Sequence, residues 1–281
     1  MSWWEAIVLG IVEGLTEYLP VSSTGHLILA QRMLGIEKTE ASDAYAICIQ
    51  AGAIIAVVGL YWHRIRGMFA GVFSMLSGDR SPNPGFRLAV NIIVAFMPAV
   101  VLGLLFDDII EAKLFGLWPI VTAWFVGGAA ILVVAWWRKR HGGQQEGKPL
   151  EELTWQMALA IGTIQCVAMW PGTSRSLVTI VGGVLFGLSL SAAVEFSFLL
   201  GVLTLLAATV YKAKDAGPVM LETYGWWPMI IGSLAAWISA VAAVKWMVEY
   251  LKLHGMQIFG YYRVALALAV GAALYFNLLS P

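Results

Sequence analysis

Six long apolar stretches, each about the length of a membrane-spanning helix, constrain this chain more than any other feature of its sequence. A helix needs about 20 largely apolar residues to cross a bilayer. The stretches that meet this length are 44–62, 88–106, 117–137, 191–211, 226–247 and 258–279. We therefore predict an all-α polytopic membrane protein with six transmembrane helices, which forms a single membrane domain over residues 1–281.

The composition excludes several other classes of protein. Hydrophobic residues make up 60% of the chain and charged residues only 12%, whereas soluble domains carry about 25% charged residues. The 17 basic and 17 acidic residues cancel, so no basic field is present to attract nucleic acid, and membrane lipids are the expected surroundings. The sequence also lacks a Walker A motif, a dinucleotide fingerprint and the spacing of a zinc site, which argues against ATP-driven and zinc-based chemistry.

Two further apolar regions, 3–36 and 155–189, are interrupted by proline and by clusters of Ser, Thr and Gly. The interruptions at Pro20 and Pro171 leave pieces of about four helical turns, which are too short to cross a bilayer alone. We predict that each region is a re-entrant helix-turn-helix hairpin, because broken backbone is tolerated at membrane depth where protein surrounds it.

The two halves of the chain share one plan. A charged linker at 138–154 separates a first repeat, 1–137, from a second repeat, 155–281, and each repeat contains one hairpin followed by three spans. Because three is an odd number, the second repeat should enter the membrane from the opposite face. This arrangement predicts an inverted-topology repeat, a plan common among membrane transporters.

The distribution of Lys and Arg predicts the orientation. The segments 63–87, 138–157 and 248–257 carry nine Lys and Arg, whereas the remaining connecting and terminal segments carry five. Loops rich in Lys and Arg usually face the cytoplasm. Both termini should therefore lie outside.

The first polar cluster reads EGLTEYLPVSSTGH over residues 13–26. Glu13 and Glu17 are four residues apart, so a helix places both carboxylates on one face. An ionised group at membrane depth costs several kcal/mol unless it has a partner. Two such carboxylates share a proton, flank a cation or carry out acid–base chemistry. A solvated helix face fits poorly, because Leu15, Tyr18 and Leu19 surround them.

The residues after Pro20 offer hydroxyl groups and a flexible turn ahead of a new helix that begins near His26. These residues are Ser22, Ser23, Thr24 and Gly25. Free backbone N–H groups at a helix start can face an anion. Taken alone, this cluster would be read as a helix cap. Its position between two carboxylates and a histidine favours a functional site.

The second polar cluster reads WPGTSRS over residues 170–176, with Thr179 one helical turn further. Arg175 is the only basic residue between Lys148 and Lys212, and its guanidinium group suits bidentate binding of phosphate. Donors beside it come from Gly172, Thr173, Ser174 and Ser176. The alternative is a structural ion pair between Arg175 and Glu13, Glu17 or Glu195, and both interpretations can hold before a substrate binds.

If the hairpins enter from opposite faces, their turns meet near the middle of the membrane, and the starts of both second helices point into one cavity. Helix N-termini and a buried arginine favour an anion there. Since lipid surrounds the protein, the expected ligand carries phosphate at one end and hydrocarbon at the other.

The two motifs closely resemble those of the undecaprenyl pyrophosphate phosphatases, the bacitracin-resistance family. Order, spacing and number of spans agree over the whole chain. The resemblance implies hydrolysis of undecaprenyl pyrophosphate to undecaprenyl phosphate and inorganic phosphate, which recycles the lipid carrier for cell-wall synthesis and confers bacitracin resistance. It also implies a multi-pass protein of the bacterial inner membrane, a site open to the periplasm, and dependence on a divalent cation, Mg or Ca. A homodimer is left open.

By this likeness Glu17, Ser23, His26 and Arg175 would be catalytic. Ser23 would be the nucleophile, His26 and Glu17 the base and its orienting partner, and Arg175 the phosphate clamp. Glu13 and Glu17 would hold the metal. The groups expected to bind phosphate are Ser22, Thr24, Gly25, Gly172, Thr173, Ser174, Ser176 and Thr179. Direct attack by water remains an alternative.

Two rival functions can be compared with this one. A lipid-phosphate flippase or transporter could use the same inverted-repeat scaffold, because fold alone does not decide function. The lipid phosphatases with a PSGH motif share a short likeness with the STGH of residues 23–26. That family also needs a histidine six residues after its arginine, and Val181 occupies the position here.

Overall fold

The computed structural model describes residues 1–79, 81, 83–114, 116–141 and 147–279. In this part of the chain the regular structure is helical, apart from one isolated bridge between Lys148 and Leu188. The α-helices are α1 (Trp3–Thr16), α2 (Ser23–Met33), α3 (Glu40–Cys48), α4 (Gln50–Leu60), α5 (Trp62–Leu76), α6 (Pro84–Leu114), α7 (Leu117–His141), α8 (Trp155–Gln165), α9 (Arg175–Leu185), α10 (Leu190–Tyr224), α11 (Trp226–His254) and α12 (Gln257–Tyr275). Short 3-10 turns occur at Leu150–Glu152 and Cys166–Met169.

The prediction of six spans is confirmed. Among the described residues, six helical segments are long and apolar enough to cross a membrane. They are Glu40–Leu60, Pro84–Phe106, Leu117–Arg140, Leu190–Tyr224, Trp226–His254 and Gln257–Tyr275. The first consists of α3 and α4, which meet at Ile49. The chain is therefore a multi-pass, all-α membrane protein.

Three segments that the sequence placed in loops are helical instead. The segment 63–87 contains most of α5, α6 extends to Leu114, and α10 runs to Tyr224 although Pro218 lies inside it. The reason is composition, since Ala, Leu, Lys and Glu favour helix wherever the chain continues a helix that is already formed. Phe69 and Phe73 on α5 are largely exposed, as expected for an amphipathic helix at the membrane surface.

Both predicted hairpins contain a pair of short helices separated by a turn. Helix α1 has 14 residues, and α2, α8 and α9 have 11 each. An 11-residue helix is about 17 Å long, well short of the roughly 30 Å hydrocarbon core of a bilayer. The short helices are therefore compatible with hairpins that enter the membrane and return.

The packing of the two halves is reciprocal. Helix α1 packs along α11, and α8 packs along α6, so the first helix of each hairpin contacts the second long span of the other repeat. Glycines allow both contacts: an added Cβ at Gly14 would lie 2.2 Å from the carbonyl oxygen of Ala236, and one at Gly162 would lie 2.2 Å from that of Ala95. An inverted repeat would produce this exchange of partners.

The inverted repeat makes a direct prediction about sidedness. After replacement of Cys48 and Cys166, single cysteines at Glu37 and Lys148 should react with an impermeant thiol reagent from opposite sides of oriented vesicles, because three spans separate them. A cysteine at Glu222, at the far end of the next span, is the control and should react from the same side as Glu37. Labelling of all three positions from one side would rule out the odd number of crossings.

Candidate active site

The end of α1 brings two carboxylates to one buried position. The backbone N–H of Glu17 donates to the carbonyl of Glu13 at 2.9 Å, so helical geometry continues through Glu17 and both side chains share one face. Glu13 is fully buried, and neither of its carboxylate oxygens has a hydrogen-bond partner among the described residues. A buried carboxylate without a partner is costly, which points to a ligand or a shared proton at this place.

The turn before α2 and the turn before α9 share an unusual backbone conformation. Ser22, which precedes α2, has φ 75°, and Ser174, which precedes α9, has φ 76°. Positive φ is rare for residues other than glycine and is found mostly where function requires a strained turn. Gly172 also has positive φ, at 93°. The two motifs therefore share local geometry as well as composition.

Side chains join the two turns directly. The Arg175 guanidinium donates through Nη2 to Glu17 Oε1 at 3.0 Å, and the Ser176 hydroxyl donates to the carbonyl of Leu19 at 2.8 Å. The residues of the first pair are 158 positions apart in sequence. The structure thus brings the two polar motifs into one site, as the sequence predicted.

Arg175 retains an unused donor. Its Nη1 donates to the carbonyl of Ser197 at 2.9 Å, and its charge lies 5.3 Å from the centre of the Tyr18 ring. The buried Nε, however, has no partner among the described residues. The ion pair with Glu17 is therefore present, and a free N–H remains for an anion such as phosphate.

The hydrogen bonds of Ser23 and His26 differ from the predicted arrangement, in which these two side chains face each other. The Ser23 hydroxyl donates to Glu17 Oε2 rather than to His26. His26 Nδ1 donates to the carbonyl of Ser22 at 2.7 Å, and its Nε2 lies 2.7 Å from the hydroxyl of Tyr262. The Ser23 hydroxyl therefore contacts Glu17, while both ring nitrogens of His26 are engaged elsewhere.

The hydroxyl groups of the second motif are mostly engaged within the protein. Thr179 is fully buried, donates to the carbonyl of Arg175 at 2.8 Å and lies 2.6 Å from the Ser197 hydroxyl. Ser176 is also fully buried, and Ser174 accepts from the N–H of Leu177 at 3.3 Å. These bonds hold Arg175 and its turn in place, and the contact of these hydroxyls with phosphate stays a prediction.

The predicted phosphate ligands of the first motif are differently placed. Ser22 and Ser23 are buried and Thr24 is half-buried at the start of α2, where no side chain caps the helix. The first backbone N–H groups of such a helix need an outside acceptor. Gly25 packs against Trp124, so close that an added Cβ would lie 2.6 Å from the ring. Thr173 is buried beside the second turn.

A divalent cation fits the carboxylate pair in part. In the described part of the chain no three His, Cys, Asp or Glu side chains converge on one point. The unpartnered oxygens of Glu13 nonetheless provide the hard, negatively charged ligand that Mg or Ca prefers, and Mg is commonly held by one or two carboxylates together with substrate phosphate. Glu13 and Glu17 would hold such an ion.

Three residues of this site were not predicted. Ser197 on α10 orients Arg175 and Thr179, and Tyr262 on α12 stacks near His26, with ring centroids 5.8 Å apart. Arg263 contacts both turns. Of the three, only Arg263 carried a signal in the sequence, as a lone charge within an apolar span.

An apolar groove leads to the site. It has a volume of about 460 Å³ and lies between α1, α11 and α12. Its walls are formed by Leu15, Thr16, Leu19, Val21, Ala242, Ala243, Trp246, Ile258, Phe259 and Tyr262. Tyr262 therefore borders the groove on one side and contacts His26 on the other.

Known proteins share this sequence over nearly its full length. Residues 6–269 match the family described as bacitracin resistance protein BacA. A protein named undecaprenyl-diphosphatase from Sorangium cellulosum is 44% identical over 272 residues, covering 96% of this chain and 86% of that protein. Undecaprenyl-diphosphatase 2 from Rhodospirillum rubrum is 41% identical and covers 98% of this chain and 96% of its own. A protein named undecaprenyl-diphosphatase from Nitrosomonas europaea is 40% identical over 282 residues, covering 99% and 98%.

The identity of the family follows from the extent of these matches. The family match includes both polar motifs and all six spans, except for the last residues of α12. The resemblance inferred from the two motifs is therefore confirmed, and the chain belongs to the bacitracin resistance protein BacA family.

Proposed function

We propose that this protein is a membrane phosphatase that hydrolyses undecaprenyl pyrophosphate to undecaprenyl phosphate and inorganic phosphate. The observation that carries the proposal is the contact of Ser23, Glu17 and Arg175, in which a hydroxyl, a base and a phosphate-binding cation meet within one buried site. Full-length relatives named undecaprenyl-diphosphatase support the substrate. The product would be the lipid carrier that cell-wall synthesis reuses, and its recycling would confer resistance to bacitracin.

Hydrolysis begins with attack on the terminal phosphorus. The Ser23 oxygen forms a bond to that phosphorus while its proton passes to Glu17, and the bond from phosphorus to the bridging oxygen breaks, so that undecaprenyl phosphate leaves. Water then attacks the phosphorus of phosphorylated Ser23, and the bond from phosphorus to the serine oxygen breaks as that oxygen takes its proton back from Glu17. The released inorganic phosphate carries the oxygen and both protons of the water. In the alternative, Glu17 activates water, which attacks the terminal phosphorus directly.

Substrate binding itself would activate the base. Before substrate arrives, Arg175 neutralises Glu17. The pyrophosphate competes for the guanidinium, beginning at the unpartnered Nε, and Glu17 then loses its counterion at the moment when a base is needed. A divalent cation bound at Glu13 and Glu17 would neutralise charge on the pyrophosphate oxygens.

The apolar groove would hold the first isoprene units of the substrate. A chain that lies along Leu15, Leu19 and Trp246 ends beside Tyr262, next to His26. The pyrophosphate would then reach the two turns while the rest of the lipid stays in the bilayer. We place the protein in the bacterial inner membrane with the site open to the periplasm, which agrees with the distribution of Lys and Arg.

Phosphate release tests the proposed function. Protein purified in detergent should release inorganic phosphate from undecaprenyl pyrophosphate, and it should act more slowly on short prenyl pyrophosphates because these fill less of the groove. A flippase would release no phosphate under these conditions, since it moves lipids without breaking a bond. Absence of hydrolysis by well-folded protein supplied with Mg or Ca would overturn the proposal in favour of that second function.

A substitution in the groove should change selectivity for chain length. Ala242 is exposed on the wall of the groove, and Ala242→Trp would narrow it. We expect KM for undecaprenyl pyrophosphate to rise about tenfold, while KM for a prenyl pyrophosphate too short to reach Ala242 changes less than twofold. The matched control is Ala208→Trp on α10, which is exposed and lies outside the residues that line the groove. Equal effects of both substitutions would show that the tail binds elsewhere.

A further inference from the structure

Arg263 on α12 lies between the two polar turns. The side chain is fully buried. Its Nη1 donates to the carbonyl of Pro20 at 3.3 Å, and its Nη2 donates to the carbonyl of Gly172 at 2.8 Å. These two carbonyls belong to the turn of the first hairpin and the turn of the second. One guanidinium therefore bridges the two halves of the active site.

The remaining bonds attach this bridge to a neighbouring span. Nη2 also donates to the carbonyl of Ala123 at 2.8 Å, and Nε donates to that of Trp124 at 3.3 Å, both on α7. Space for the guanidinium depends on Gly127, where an added Cβ would lie 2.4 Å from Nη2. Four backbone carbonyls thus fix the side chain. Because these acceptors belong to the backbone, they cannot turn away by a change of side-chain rotamer.

The charge of Arg263 has no carboxylate partner among the residues that the structure describes. Among the ion pairs of the described residues, Arg175 pairs with Glu17, while Arg263 contacts only carbonyl oxygens. Arginine stays protonated in proteins. A buried cation without a counterion is costly, and its cost is reduced when an anion binds nearby. The turns that Arg263 touches are the ones that should receive the pyrophosphate.

The direction of the bonds adds a second effect. A carbonyl that accepts from Arg263 directs its negative end toward α12, and so Pro20 and Gly172 present less negative charge to the cavity. The starts of α2 and α9 lie within three residues of these carbonyls, so the positive ends of both helices lie close to the same two turns, and the start of α2 has no side-chain cap.

We propose that Arg263 is a positioning residue that fixes the distance between the two turns and supplies an uncompensated positive charge to the pyrophosphate site. This inference rests on the proposed function, since the pyrophosphate of the substrate is its ligand. Arg263 does not touch the reacting atoms. It acts through the backbone of the turns that carry Ser23 and Arg175, and through its field.

The test compares Arg263→Lys and Arg263→Met with the wild type in detergent. We measure hydrolysis of undecaprenyl pyrophosphate, and inhibition by inorganic pyrophosphate and by the less charged inorganic phosphate. Arg263→Met should lower kcat at least 100-fold and should weaken inhibition by pyrophosphate more than inhibition by phosphate. Arg263→Lys retains the charge but cannot make all four hydrogen bonds of the guanidinium. Its inhibition constant for pyrophosphate should therefore lie closer to the wild-type value than its kcat does.

Dependence on ligand charge separates this proposal from a purely structural role. If Arg263→Met only lowers the thermal midpoint, and the folded protein keeps the wild-type kcat and both inhibition constants, the proposal is overturned. Loss of both inhibition constants by the same factor, without recovery in Arg263→Lys, would also contradict it. Absence of hydrolysis by the wild type would instead count against the proposed function.

A second variant keeps the test available should both Arg263 variants fail to fold. Gly127→Ala adds a single methyl group, which must displace the guanidinium of Arg263. We expect kcat to fall at least tenfold and inhibition by pyrophosphate to weaken. Gly271→Ala on α12 is the control, because its added Cβ would meet Val121 at an ordinary 3.4 Å. Equal activity of the two glycine variants would overturn the proposal.

Discussion

Replacement of Arg175 by lysine is expected to lower kcat by about 10³-fold or more, the range known for arginines that neutralise a transferring phosphoryl group. Lysine keeps the positive charge but lacks the planar guanidinium group. In the wild type this group donates to Glu17 and to the carbonyl of Ser197 at the same time, while its Nε has no partner among the described residues. The measurement is steady-state phosphate release from undecaprenyl pyrophosphate by protein purified in detergent. Near-normal turnover would remove Arg175 from the phosphate clamp and leave it with the ion pair alone.

The space around Arg175 allows a matched comparison. An added Cβ at Gly201 on α10 would lie 2.1 Å from Nη1 of Arg175, so Gly201→Ala must displace the guanidinium without removing it. We expect an intermediate loss of kcat, about 10- to 100-fold. Gly217→Ala on the same helix is the control, since its Cβ would approach Ala213 only at 4.0 Å. Its activity should match that of the wild type.

Replacement of Ser23 by alanine should have an effect of similar size, about 10³-fold or greater, because it removes the attacking oxygen. Glu17→Gln should be comparably severe, since Glu17 accepts the hydrogen bond of the Ser23 hydroxyl and would take its proton in the proposed mechanism. Ser22→Ala is the matched control. No hydrogen bond of the Ser22 side chain caps α2, and its carbonyl, which holds His26, is kept in alanine, so a loss of tenfold or less is expected. Thr24→Ala should be intermediate.

Single-turnover phosphate release, followed by acid quench and a search for phosphorylated Ser23, decides between the two mechanisms. A phosphopeptide that forms and decays at the rate of phosphate release would support attack by Ser23. Substantial chemistry in Ser23→Ala, together with no phosphopeptide in the wild type, would show that water attacks directly and that Ser23 only positions the substrate.

Much of the architecture could be predicted because membrane insertion imposes local rules. The length of each apolar run predicted the six spans, and Pro20 and Pro171 marked the breaks between the short helices. The limits of α6 and α10 were missed for a physical reason. A helix does not end where its apolar surface ends, and the polar residues up to Tyr224 still favour helix.

The chemistry of the site was predictable where a charge lay at membrane depth. Glu13, Glu17 and Arg175 stood out because each needs a partner there. The pairing of Ser23 with Glu17 instead of His26 could not be read from spacing, since it depends on how the turn after Pro20 is folded. Tyr262 gave no local signal, because an aromatic residue in a span is ordinary.

The separation of Glu17 and Arg175 by 158 residues has a consequence for biosynthesis. The first polar turn leaves the ribosome long before the second, and until then the arginine that pairs with Glu17 has not been made. Arg263, which joins both turns, is made later still, in the final span. The nascent chain should therefore keep its first hairpin near the membrane surface and draw it inward only when the last span has been inserted. Assembly in that order would prevent a partly made enzyme from acting on its lipid.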